Sequence, residues 1–227
     1  MSRPIPTRIF HITPIANLPE ICRLGRLICK NDLLEAGAEQ VSIAHQSIQH
    51  RRAQKIVEVA PGGTVHDYVP FYFAPRSPML SAILHGRVEN CEFGQEDIVH
   101  VESSVELVVE SGRQFVVYPI SAAYAFGVNC FNTLDGLDEI KWPLFFEAPR
   151  VGDFAKYFMS RLNPPQHAQR METRQAEFLV HKALSLSHVT RLGVASDAKQ
   201  QEVCAVLDKY GVKLPVDVIT DWYFFDQ

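Results

Sequence analysis

Cysteine pairs with metal-ligand or disulfide spacing are missing from this sequence. Its cysteines, Cys22, Cys29, Cys91, Cys130 and Cys204, are odd in number and none stands in a C-x-x-C pair. That argues against a disulfide framework or a zinc knuckle and points to reduced thiols in a cytosol. Long apolar runs are missing too. Stretches such as 105–109 and 115–118 fall far short of the roughly 18 residues needed to span a bilayer. The opening MSRPIPTRIFHITPI has no continuous apolar stretch of the signal-peptide kind. A cytoplasmic chain with no membrane partner is therefore expected. Excess positive charge is absent as well. With 22 Lys and Arg against 26 Asp and Glu, the net charge is −4, so any basic groove must be local. G-x-x-x-x-G-K-[ST], G-x-G-x-x-G and G-x-S-x-G do not occur, which disfavours P-loop, Rossmann and hydrolase-elbow enzymes. No H-E-x-x-H occurs, and the spacings of His45 with His50 and of His181 with His188 suit no metal clamp, so no metal is expected.

What is present is an ordinary globular composition: 227 residues, 47% hydrophobic and 21% charged. A chain of this length buries a core without staples, and no interior linker or repeat divides it, so residues 1–227 read as a single domain. Residues 8–13 alternate and predict a strand ended by Pro14. Residues 17–29 show helical spacing with Asn17 as N-cap, Pro19 in the first turn and Gly25 at the end. A polar stretch from 42 leads into a short helix before a turn at 60–63. Residues 68–74 read as a strand and 77–84 as a helix capped by Ser77 with Pro78 at its first position. The runs 97–101 and 105–110 look β-like, as does 115–120, and 121–150 is irregular. Residues 151–162 read as a helix, 177–184 as strand or helix, 191–195 as a strand, 197–210 as an amphipathic helix and 216–225 as a closing strand. The sum is an α+β fold with mixed or mainly antiparallel sheets and helices near the N-terminus.

Four islands carry chemistry, although each alone also suits packing or a solvated surface. In the opening strand, alternation points His11 and Thr13 the same way, giving two hydrogen-bonding side chains on one face. Gln49-His50-Arg51-Arg52 sends adjacent guanidiniums in different directions, so one can enter a cleft while the other stays in water. In HDYVPFYFAPRSPM (66–79), alternation buries Phe71 and Phe73 and leaves Tyr72 to stack on a planar ring. A helix start then offers free N–H groups. In QAEFLV (175–180), a lone carboxylate, Glu177, opens an apolar run; in a cleft it would accept a hydrogen bond from a sugar hydroxyl and steady developing positive charge.

At these islands the chain resembles DarT, the DNA ADP-ribosyltransferase toxins of DarT–DarG toxin–antitoxin systems. The matching stretches are FHITPIANLPEICRLGRL, SIAHQSIQHRR, HDYVPFYFAPRSPML, QAEFLV and the closing DWYFF, in the family's order and spread over most of the chain. The resemblance implies an ADP-ribosyltransferase fold, two packed, mainly antiparallel sheets around a cleft for NAD. It implies NAD as co-substrate, Glu177 and Arg52 as catalytic residues, and His11, Thr13, Asn17, Tyr72, Ser77 and Met79 as cofactor-binding. Arg51, Arg76, Arg170 and Arg174 are its candidates for DNA contact, the last two in a substrate-recognition loop at roughly 163–176. It further implies a single-stranded DNA partner, a macrodomain antitoxin of the DarG kind that strips ADP-ribose from DNA, and a monomer. The implied reaction is transfer of ADP-ribose to a DNA base with release of nicotinamide, and FYFAPRSPML leans toward thymidine. Transfer to guanosine, to RNA or protein, and an inactive nucleic-acid-binding module are the alternatives.

Overall fold

In the computed structural model, residues 3–38, 41–89, 91–125, 129–156 and 170–225 are described. The strands are β1 (Arg8–Pro14), β2 (Arg26–Ile28), β3 (Tyr68–Tyr72), β4 (Ile98–Ser104), β5 (Phe115–Tyr118), β6 (Arg150–Val151), β7 (Phe154–Ala155), β8 (Glu177–His181), β9 (Ala183–Ser185), β10 (Arg191–Val194) and β11 (Val216–Val218). The helices are α1 (Leu18–Leu24), α2 (Lys30–Glu35), α3 (Gln46–Gln54), α4 (Pro78–Leu84), α5 (Val105–Glu110) and α6 (Asp197–Tyr210). The α+β architecture read from the sequence is present. Its sheets resolve into one seven-stranded sheet, ordered β11-β10-β4-β1-β3-β8-β5, and two two-stranded ribbons, β2-β9 and β6-β7. Every pairing in the large sheet is antiparallel except β10 with β11. Among the described residues, no helix is long and apolar enough to cross a membrane.

Alternation along β3 and β8 divides the interior in two. Val69, Phe71 and Phe73, with Phe178 and Val180, enter the main core. Tyr68 and Leu179 face a smaller cluster with Val57, Val65, Val116 and Tyr118. Since β8 side chains point to opposite faces in turn, Glu177 shares the side of Leu179, under α3 and the turn Ala122–Tyr124.

Several elements differ from the sequence expectation, each for a local reason. The helix expected over 17–29 stops at Leu24, because Gly25 turns left-handed (φ 64°) and its N–H caps the Cys22 carbonyl. Residues 26–28 then pair with β9 instead. Asn17 caps nothing: its side chain accepts from Val41 N–H and donates to Val41 carbonyl and Thr13 Oγ1. The β-like run 105–110 is helical, because Ser104 Oγ accepts from Leu107 N–H and Val105 and Val108 bury one helical face. Within the helix expected over 151–162, residues 150–155 form the β6–β7 hairpin around Gly152 (φ 56°), and 157–162 lie outside the described residues. The closing strand ends at Val218, and Thr220–Trp222 coil into a 3₁₀ turn. The aromatic density of DWYFF reflects burial of Trp222, Tyr223 and Phe224 rather than strand formation.

Candidate active site

Glu177 is the first residue of β8 and sits between two tyrosines across the ladder, Tyr72 of β3 and Tyr118 of β5. It is 1% exposed. Such a carboxylate requires partners for both oxygens, and it has them. Arg52, in the last turn of α3, donates from Nη1 to Oε2 at 2.7 Å. Oε1 accepts from Ala122 N–H at 3.0 Å and from the Ser121 hydroxyl at 3.4 Å. A carboxylate has about four lone-pair sites, so these bonds hold its plane while leaving room to accept from a substrate hydroxyl.

The structure brings Arg52, and not Arg51, to this carboxylate. Arg51 is exposed and lies over the Tyr124 ring, its guanidinium carbon 4.8 Å from the centroid. The two arginines point apart, as adjacent helical positions must.

A cleft of about 130 Å³ lies beside Arg52, with His11, Thr13, Asn17 and Met79 among its walls. A void of about 150 Å³ holds a benzene-sized ring, so the cleft suits one planar ring. It shares Lys30, Ser42, Gln49 and His66 with a wider groove of about 730 Å³ along α3, which offers length for the rest of a dinucleotide. His11 donates from Nδ1 to the Pro70 carbonyl at 2.9 Å, so in the neutral ring Nε2 is the acceptor. Burial outweighs that bond and lowers the His11 pKa. Thr13 holds the Asn17 amide at 3.0 Å. Tyr72 lies next to Glu177, and burial first, then the Glu177 charge, push its phenol upward, so the ring is neutral. Ser77 is buried and accepts from Leu80 N–H at 3.2 Å, which makes it the cap of α4; Met79, two residues on, reaches the cleft.

The arginines expected at DNA fall into different settings. Arg76 is buried and donates to the Asp221 and Lys156 carbonyls. Arg174, 1% exposed, donates to the Ala155 and Arg76 carbonyls and lies over Phe145. Burial, with Arg76 and Arg170 adding repulsion, lowers Arg174 to about 9. Both guanidiniums thus serve as struts between chain segments, and as placed they present no exposed fork to a phosphate. Arg170 is partly buried and pairs through Nε with Glu147. Residues 163–169 of the expected recognition loop lie outside the described residues.

Gln49 and His66 also line the cleft, and no local pattern in the sequence marks them as site residues. His66 Nε2 donates to Gln49 Oε1 at 2.9 Å, and burial, then the Arg52 and Lys30 charges, lower its pKa to about 4. Each opens one of the chemistry-bearing islands, 49–52 and 66–79, and that position is their only sequence signal. Cys29, Asp32 and Asp67 come close enough for a metal, but Lys182 Nζ sits 2.8 and 2.9 Å from the two carboxylates, and burial raises the Cys29 thiol to about 11. A protonated thiol and a resident ammonium make this an ion-pair cluster.

Comparison with known proteins gives the same direction. A family model described as ssDNA thymidine ADP-ribosyltransferase, DarT, matches residues 10–224. A DNA ADP-ribosyl transferase of Thermus sp. (strain 2.9) is 38% identical over 223 residues, covering 97% of this chain and 98% of the relative. Solved structures of Thermus sp. 2.9 DarT superpose closely. The complex with ADP-ribosylated ssDNA gives a TM-score of 0.84 at 35% identity, covering 98% of this chain and 99% of that one. The complex with NAD+ gives 0.81 at 34% identity, covering 98% and 100%.

Proposed function

The chain belongs to the DarT family of single-stranded-DNA thymidine ADP-ribosyltransferases, and from that premise we propose how its own residues carry out the transfer. It is an NAD-dependent DNA ADP-ribosyltransferase, and the single observation that carries the residue assignment is the buried Arg52–Glu177 pair beside the ring-sized cleft. NAD binds with its nicotinamide end in that cleft, against the His11–Thr13 strand and Arg52, and with its remainder along the groove past Lys30; Tyr72, opposite Glu177 in the sheet, lies outside the cleft's walls. The solved complex of the Thermus relative with NAD+ supports NAD as the co-substrate.

As the bond between nicotinamide and ribose breaks, positive charge develops at the anomeric carbon, as in glycoside chemistry. Glu177 accepts from the ribose 2-hydroxyl and faces that charge, held in orientation by Arg52, Ala122 N–H and Ser121. The acceptor is a thymine ring nitrogen in single-stranded DNA. An unpaired base reaches the site without the cost of leaving a duplex. That nitrogen must lose its proton, and a permanently charged guanidinium is a poor base, so Arg52 acts electrostatically on the developing base anion. Bond formation at the anomeric carbon and release of nicotinamide and one proton complete the balance. Membership of this family supports an ADP-ribose-stripping macrodomain antitoxin as partner.

The test uses purified protein, NAD and single-stranded oligonucleotides that differ in one base, read by mass spectrometry. An adduct of ADP-ribose mass should appear on the thymidine-containing strand. Glu177→Gln should slow transfer by about 10²–10³, the usual loss on removing an electrostatic stabiliser, while NAD still protects the protein against heat. Transfer at near wild-type rate by Glu177→Gln would overturn the assignment.

A further inference from the structure

Two segments converge on Glu177, and the same two converge a second time at the surface. Ser121 and Ala122 hold Oε1 of the carboxylate and run directly into Tyr124; Arg52 holds Oε2 and follows Arg51. Ala122 and Ala123 are buried, but Tyr124 turns out into solvent at 45% exposure, with the exposed Arg51 guanidinium 4.8 Å from its ring centre. Lys55 Nζ donates to the Ala125 carbonyl at 3.2 Å, a second tie between α3 and this turn. Arg51 thus meets this turn at the Tyr124 ring and Lys55 meets it at the backbone.

We propose that Tyr124, backed by Arg51, is a stacking platform for the nucleobase next to the modified thymidine. The inference rests on the activity proposed above. A single strand that presents one base to Glu177 must place its neighbours within a nucleotide's length of that carboxylate. An aromatic face accepts any base, and a guanidinium stacked on the far face strengthens the platform and keeps N–H groups for the phosphate. The chain has a net charge of −4 and buries Arg76 and Arg174, so stacking supplies strand affinity that a broadly basic surface would otherwise provide. The ring remains in place whichever base is bound, so the platform positions the strand, and base identity at the neighbouring position has a weak effect.

The experiment measures KM and kcat for a single-stranded oligonucleotide with one thymidine, and for versions carrying an abasic site at each flanking position in turn. Wild type, Tyr124→Ala and Tyr124→Phe are compared at saturating NAD. Since base–aromatic stacking holds single strands in place, Tyr124→Ala should raise the oligonucleotide KM by about tenfold with little change in kcat, and Tyr124→Phe should match wild type. In wild type, an abasic site at one flanking position should give a similar rise, and Tyr124→Ala should be insensitive to that same abasic site. An unchanged KM for Tyr124→Ala, or losses from variant and abasic site that simply multiply at every position, would overturn the platform. Equal losses in the Phe and Ala variants would overturn it as well, since the hydroxyl and not the ring would then matter. Absence of any transfer by wild type would instead count against the activity itself.

Discussion

Arg52 and Glu177 lie 125 positions apart in the chain and 2.7 Å apart in space. Removing one member of a buried ion pair strands the other, at a typical cost of about 3–5 kcal/mol, so an alanine at Glu177 perturbs the fold as well as the chemistry, and glutamine is the more informative replacement. The histidines make a separate statement about stability. Burial lowers His11, His66 and His100, the latter two to about 4, whereas an unfolded histidine titrates near 6.5. Between those values the unfolded chain takes up protons that the folded chain refuses, so stability is full above about pH 6.5 and is lost as pH falls toward 4. The melting temperature should therefore drop between pH 7 and pH 5, and His66→Gln, which still has a donor for Gln49, should flatten that drop. Superimposable pH curves for wild type and variant would contradict the assignment of His66.

At the scale of elements, short caps and close approaches decide what apolar periodicity leaves ambiguous. Ser104 converts a β-like valine run into α5, and Gly25 cuts α1 short so that residues 26–28 can join β9. The aromatic tail depends on a similar small feature. Gly193 lies in β10 with the Trp222 ring directly over it; a Cβ there would fall 2.2 Å from the indole. Tyr223 Oη reaches the carbonyls of Ile98 and Gly193 at 2.7 and 3.1 Å, locking the tail to β4 and β10. Gly193→Ala should cost about 1–3 kcal/mol, the usual range for overpacking, and should lower the denaturation midpoint in urea. An unchanged midpoint would show that the tail shifts without loss.

For the whole molecule, the negative net charge sets the character of DNA binding. A chain at −4 that buries Arg76 and Arg174 is expected to make few phosphate contacts, and single-stranded binding weakens with salt by a log–log slope of about 0.7 per contact. Two contacts correspond to roughly a sevenfold rise in oligonucleotide KM between about 50 and 200 mM salt. A loss of several hundredfold over that interval would mean a basic track that the described residues do not display.

The sequence by itself determined the elements that rest on neighbours in the chain. The first strand, the helix capped by Ser77, the 197–210 helix and the lone carboxylate before an apolar strand all follow from local alternation, capping and spacing, and the family motifs follow from residue order. Tertiary structure alone decided that Arg76 and Arg174 are struts and that His66 and Gln49 enter the cleft, and it supplied the contact behind the family motif's choice of Arg52 over Arg51. Those outcomes depend on which face of one element is covered by another distant in sequence, and no local pattern of residues encodes that.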